Sequence, residues 1–184
     1  MLDTRPLALD GLFEIRPARF GDDRGFFLQT WSAEEMAGAG LEIAFVQDNH
    51  SFSAARGVLR GLHYQVPPAA QHKLVRVSRG SVFDVAVDIR AGSPTFGQWA
   101  GLVLSAELWN QLLVPAGFAH GFVTLEEHSE VQYKVSAPYC PQLERSIRFD
   151  DPAIGIDWPV ARSEITLSPK DEAAPLLSDQ PTGF

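Results

Sequence analysis

A single cysteine, Cys140, is all that 184 residues supply, so an internal disulfide and a thiolate metal cluster are both excluded, in keeping with a reducing compartment. Long apolar runs are missing too. The opening stretch "MLDTRPLALDGLFEIRP" sets Asp3 and Asp10 among its leucines, which excludes a secretory signal or a membrane span there and makes the cytoplasm the expected location. Positive charge is scarce: 15 Lys and Arg against 23 Asp and Glu leave a net charge of −8, so nucleic acids and anionic membranes are not expected partners. Repeats, low-complexity tracts, linkers and any βαβ rhythm are lacking. One domain over residues 1–184 is expected, with its core at about 12–171 and a surface helix or tail at 172–184.

What the chain has in quantity is strand signal. "KLVRVSRGSVFDVAVDIR" holds two valine-rich runs split by a turn at Arg79 and Gly80. In the second run Phe83, Val85, Val87 and Ile89 alternate with Val82, Asp84, Ala86 and Asp88, so one face is core and the other carries carboxylates, as a strand lining a wet cavity or facing solvent would. Short strands are also predicted in "GLFEIRPARF", "GFFLQTW", "AGLVLS", "NQLLVP", "HGFVTL", "SEVQYKV" and "RSIRF", punctuated by Gly, Pro, Asp and Ser. One helix is predicted in "SAEEMAGAG", where Ser32 and Glu35 form a capping box and Gly40 stops the turn. The expected fold class is all-β, a jelly roll or double-stranded β-helix with a few short peripheral helices.

Arg56, Arg60, Lys73, Arg76 and Arg79 are five of the fifteen cationic residues and lie close to His63 and His72. A basic pocket in an acidic protein suits a small anionic ligand, although solvated strand edges also carry such residues. Metal-binding jelly rolls usually place two imidazoles on alternate residues of one strand and a third on a later one. Pro115, Gly117 and His120 in "PAGFAHGF" match the later element, as in cupin barrels. The earlier pair is broken, because two residues beyond His63 stands Gln65, a poor ligand. The pattern is that of a cupin that keeps its barrel without a metal. His50 and His128 read as surface residues.

The segments "FGDDRGFF", "QDNHSFSAARGVLRGLHYQ", "KLVRVSRGSVFDVAVDIRAGSPTFGQW", "PAGFAHGF", "YKVSAPYCPQLERSIRFDDPAIGIDWP" and "LSPKD" run in order from about Phe20 to Asp171. Together they resemble the dTDP-4-dehydrorhamnose 3,5-epimerase family. The resemblance implies inversion of C3 and C5 in a dTDP-4-keto-6-deoxyglucose. Both carbons are α to a ketone, so the reaction needs a base, an acid and a cation at the ketone oxygen, and neither a metal nor a redox cofactor. By similarity His63 is the base and Asp171 its carboxylate partner, with Asp84 a second candidate from the strand pattern. Tyr133 resembles the acid and Lys73 the cation. Arg24 and Arg60 resemble diphosphate ligands, and Gln47, Asp48 and Asn49 nucleotide and sugar contacts. His120, Glu144 and Lys170 fall at substrate-binding positions, and Tyr139 where an aromatic ring stacks on thymine. Family members are homodimers in which a strand of one subunit extends the other's sheet.

Two departures stand out: Gln29 where the family usually has glutamate, and His72 where glycine is common. Gln29 still accepts a hydrogen bond but removes a negative charge from a site for an anion. The other readings kept open are a monoepimerase acting at C3 or C5 alone, a metal-dependent cupin enzyme, and a sugar-nucleotide-binding module without catalysis.

Overall fold

The computed structural model describes residues 2–184. Among the described residues thirteen strands are formed: β1 (Asp3–Pro6), β2 (Phe13–Arg16), β3 (Arg19–Asp22), β4 (Gly25–Leu28), β5 (Gln47–Ser53), β6 (Leu59–Gln65), β7 (Lys73–Arg79), β8 (Ser81–Asp88), β9 (Trp99–Ser105), β10 (Gln111–Val114), β11 (Phe118–Thr124), β12 (Ser129–Val135) and β13 (Glu144–Ser146). They make a six-stranded sheet, β1-β2-β10-β7-β12-β5, and a five-stranded sheet, β13-β6-β11-β8-β9, with β3 and β4 forming a separate hairpin. The pairings within the sheets are antiparallel, giving the cupin-type jelly roll expected from the strand signals.

The turn at Arg79 and Gly80 does not make a hairpin of its two valine runs. β7 enters the six-stranded sheet and β8 the five-stranded one, so Gly80 is the corner where the chain changes sheets. Gly80 has φ +72, and a Cβ there would lie 2.5 Å from Ser129 Oγ, so the corner excludes any side chain. Between the sheets, Val75, Val77, Val82, Ala86, Leu112, Val114, Phe118, Phe122 and Val131 form the central core. The opposite face of β8, Val85 and Val87, is also buried, against Leu62, Tyr64, Ala119, Ile147, Ile154 and Leu177. Both faces of β8 are therefore covered, and the Asp84 side looks into the barrel rather than out to solvent.

That second cover corrects the expectation of a surface tail at 172–184. Ala174, Leu177 and Thr182 are buried, Phe184 packs on the outer cluster, and its carbonyl accepts the Ala91 N–H at 3.0 Å. Apolar side chains spaced among prolines hide from a periodicity search because they follow an irregular backbone. α1 (Ala33–Gly38) forms as predicted, with the Ser32 hydroxyl accepting the Glu35 N–H. Its Met36 covers Ile15, Leu74 and Leu113 on the outer face of the six-stranded sheet. The "QDNHS" segment is a strand, β5, and β1 was not anticipated; its charged "DTR" start carries little strand signal.

Candidate active site

His63 owes its direction to a fault in the ladder. On β11 and β6 the register pairs His120 with His63 but Phe122 with Arg60, which leaves one extra residue on β6. A bulge of this kind shifts the side-chain alternation, so Arg60 and His63, three apart, both face inward and line one cavity. Gly61 sits inside the bulge at φ +132, and a Cβ there would come within 2.5 Å of Gly121 Cα. Only glycine permits that approach of β6 to β11.

The cavity, of about 440 Å³, is walled by Ser51, Leu59, Arg60, His63, Lys73, His120, Phe122, Tyr133, Lys170 and Asp171, among others. A neighbouring cavity of about 320 Å³ shares His63, Lys73 and Tyr133 with it and adds Gln47, Asn49, Gln65, Gln71, Tyr139 and Glu144. His63, Lys73 and Tyr133 line both, so the chemistry-bearing residues stand where the two lobes meet.

His63 Nε2 lies 2.5 Å from Asp171 Oδ1, although 108 residues separate them in sequence. The carboxylate is delivered by a short stitch: Thr166 N donates to Gly57 O at 2.9 Å and Leu59 N to Thr166 O at 3.0 Å, which ties the later segment to the start of β6. α2 (Pro169–Glu172) follows at once, and the Ser168 hydroxyl accepts the Asp171 N–H at 3.1 Å. Burial pushes the Asp171 carboxyl up, but His63, Ser168 and the Gly61 N–H outweigh it and hold the group below the usual carboxylate value. An ionised, nearly enclosed carboxylate on one ring nitrogen fixes the imidazole's orientation and raises its basicity.

Lys73 begins β7 and is 8% exposed, and its ammonium donates to the His63 carbonyl at 3.2 Å. Burial lowers its pKa to about 8, against the pull of Asp84 and Glu144. Tyr133, on the inward side of β12, has its phenol pushed up by burial more than Arg60 draws it down, so it keeps its proton at neutral pH. Asp84 does not compete for His63. It is fully buried and lies 2.7 Å from His120 Nε2, a second carboxylate–imidazole pair on the adjacent strand. That choice reverses the reading of Asp84 as a partner of His63, because the β8 and β11 register sets Asp84 against Phe122 and beside His120.

The rim is an ionic group. Lys170 Nζ lies 2.5 Å from Glu144 Oε2, and the Tyr139 hydroxyl donates to the same oxygen at 2.8 Å. Burial raises the Glu144 pKa, but Lys170 and Tyr139 overcome it and leave the carboxyl below its ordinary value. Gln47 and Asn49 face the cleft from β5, joined by a 2.8 Å hydrogen bond. Asp48 does not join them: strand alternation turns it to the outer face, where Lys134 Nζ donates to it at 2.8 Å. Arg24 is also outside the cleft in this chain, at the tip of the β3–β4 hairpin, 90% exposed and paired with Asp22. Gln29, just beyond β4, is exposed and lines neither lobe.

Sequence reasoning missed Gln65 as anything but a failed ligand. Its side chain is buried, and all of its hydrogen bonds go to backbone: to Ala69 O and Pro138 O, and from Cys140 N. Among the described residues no group of three or more His, Cys, Asp or Glu is arranged to hold a metal ion. No helix there is long and apolar enough to cross a membrane.

A cupin-type barrel whose interior brings together an imidazole–carboxylate pair, an ammonium and a phenol defines a class, that of jelly rolls equipped for proton transfer. The particular family follows from likeness over nearly the whole chain. The dTDP-4-dehydrorhamnose 3,5-epimerase family model matches residues 6–179. The curated dTDP-4-dehydrorhamnose 3,5-epimerase of Salmonella typhimurium is 53% identical over 173 residues, covering 92% of each chain. A crystal structure of the Legionella pneumophila dTDP-6-deoxy-D-glucose-3,5-epimerase, in complex with dTDP-4-keto-L-rhamnose, superposes with a TM-score of 0.92 at 48% identity, covering 97% of this chain and 94% of that one. A 3'-monoepimerase of Streptomyces bikiniensis in complex with dTDP-quinovose is less similar, at 36% identity and a TM-score of 0.88, covering 94% of this chain and 87% of that one. The chain belongs to the dTDP-4-dehydrorhamnose 3,5-epimerase family.

Proposed function

We propose that the protein converts dTDP-4-keto-6-deoxy-D-glucose to dTDP-4-keto-L-rhamnose by proton abstraction and return at C3 and C5, without a cofactor. The observation that carries this reading is the junction of the two lobes, where the His63–Asp171 pair, Lys73 and Tyr133 line one space. His63 removes the proton α to the ketone, and Asp171 stabilises the imidazolium that forms. Lys73 balances the charge that develops on the ketone oxygen; its compact ammonium suits a single oxygen atom. Tyr133, still protonated, returns a proton from the other wall. His120 contacts the sugar, with Asp84 holding its ring.

Arg60 grips the diphosphate, Gln47 and Asn49 the nucleotide, and Glu144 and Lys170 close the rim while Tyr139 stacks on thymine. Arg24 and Gln29 serve a site only across a homodimer, in which the β3–β4 hairpin reaches the neighbouring subunit. Phe20 and Phe27 on that hairpin are 65% and 67% exposed, which supports a covered position in the assembly. The assembly is a single-domain cytoplasmic homodimer.

The test is proton NMR of the substrate with purified enzyme in deuterated water. Loss of signal at both C3 and C5, with the L-rhamno product trapped by a reductase, is expected. Exchange at one carbon only would replace this reading with a monoepimerase, and exchange at neither would remove the substrate.

A further inference from the structure

We infer that Gln65, with Gln71 beside it, is a positioning residue for nucleotide binding, holding residues 137–140 so that the Tyr139 ring stands ready to stack on a flat base. The inference rests on the nucleotide-sugar reading above and concerns a side chain which that reading does not use.

Gln65 is 3% exposed and follows His63 by two residues on β6, so it faces the cleft. Its amide nitrogen donates to Ala69 O at 2.8 Å and to Pro138 O at 3.2 Å, and its oxygen accepts the Cys140 N–H at 2.6 Å. Gln71 Nε2 donates to Ala137 O at 2.8 Å. From the other sheet, Gln47 Oε1 accepts the Tyr139 N–H at 3.0 Å. Residues 137, 138, 139 and 140 are thus each held by a side-chain amide, along a stretch of irregular backbone that carries no ladder bonds of its own.

Tyr139 is 54% exposed, and its hydroxyl donates to Glu144. The backbone clamp fixes where the ring stands, and the Glu144 bond holds its far end. A stacking contact made by a loop that must first be ordered loses affinity to the entropy of ordering. The clamp has met that cost before the ligand arrives. An apolar substitute for Gln65 would also leave Pro138 O and Cys140 N unpaired, which favours other loop conformations.

The test compares Gln65→Leu with the wild type in turnover of dTDP-4-keto-6-deoxy-D-glucose and in inhibition by dTDP and by inorganic pyrophosphate. KM and the dTDP inhibition constant should each rise about tenfold, the scale of one lost base stack, with kcat within about a factor of two and pyrophosphate inhibition unmoved. Tyr139→Ala should behave alike, and the double variant should be no worse than Tyr139→Ala alone, since both changes act through one contact. Additive losses in the double variant, or a fall in kcat at constant KM, would overturn the inference by showing that Gln65 acts on the His63 strand or on stability instead. If Gln65→Leu does not fold, Gln71→Leu makes the same comparison with a smaller shift, and dTDP inhibition unchanged in that variant would overturn it equally. A wild-type protein that neither binds dTDP nor turns over the sugar nucleotide defeats the functional reading instead, so the two failures are distinct.

Discussion

His63 carries the first prediction at the level of single residues. His63→Asn keeps a hydrogen-bonding ring-sized amide but no titratable nitrogen, and should cut deuterium exchange at both carbons by about 10²–10⁴-fold while dTDP still binds. Tyr133→Phe should spare exchange far more than net inversion, because the base remains and only the donor is lost; following both signals in one NMR time course separates them. Lys73 links catalysis to pH through its pKa of about 8. In the role proposed for Lys73 the ammonium is the working form, so kcat should decline as pH rises through about 8. For stability the sign is opposite: burial lowers the folded pKa from 10.5, the unfolded chain binds the proton more tightly, and stability rises with pH between about 8 and 10.5. Below that window the buried charge costs about 3 kcal/mol by the size of the shift. Lys73→Met should therefore raise the melting temperature at pH 7 while abolishing turnover, an outcome that thermal denaturation and a rate assay check together. These residue types were legible in the sequence, since an imidazole and an ammonium beside a valine-rich strand stand out. The resemblance also gave Asp171 as the partner of His63, and the structure pairs them; what the residues left open was Asp84, the second candidate, which the register of β8 on β11 brings to His120 instead.

Among the elements, β6 and α2 do the positioning. The β6 bulge exists because Gly61 lets two backbones meet, and Gly61→Ala should push β6 from β11 and destabilise the fold by about 1–3 kcal/mol in urea denaturation. It should also separate His63 from Arg60, so residual activity should fall further than the unfolded fraction explains. On α2 the Ser168 cap holds the Asp171 N–H. Ser168→Ala should cost about 1 kcal/mol of stability and reduce kcat several-fold, with Ser168→Thr restoring both. The helix "SAEEMAGAG" and most strands follow their sequence signals closely, because capping and period-two alternation are local. Bulges are different: one inserted residue inverts the alternation after it, and nothing in "VLRGLHYQ" except the glycine announces the place. Asp48 is a different case: a motif reading groups it with Gln47 and Asn49, but regular alternation on β5 turns it away.

At the scale of the whole molecule, the β3–β4 hairpin stands out, with every strand residue but Leu28 exposed. Phe20, Phe27 and Arg24 are exposed on it, and in the proposed dimer these are the residues that would reach the second subunit. Replacing both phenylalanines with Ser should shift the mass measured by light scattering from dimer toward monomer, and Arg24→Ala should raise KM without that shift. The amino-acid sequence by itself determined the fold class, the family, and the types of group the site holds. Each of those rests on local alternation, capping or an ordered run of motifs, which survive in one dimension. Only the tertiary structure decided that Asp84 serves His120, which side chains the bulge turns inward, why Gln65 is an amide, and that the C-terminal segment is part of the core. Those outcomes depend on contacts between residues as much as 108 positions apart, and the closing of two sheets on each other is what brings them within bonding distance.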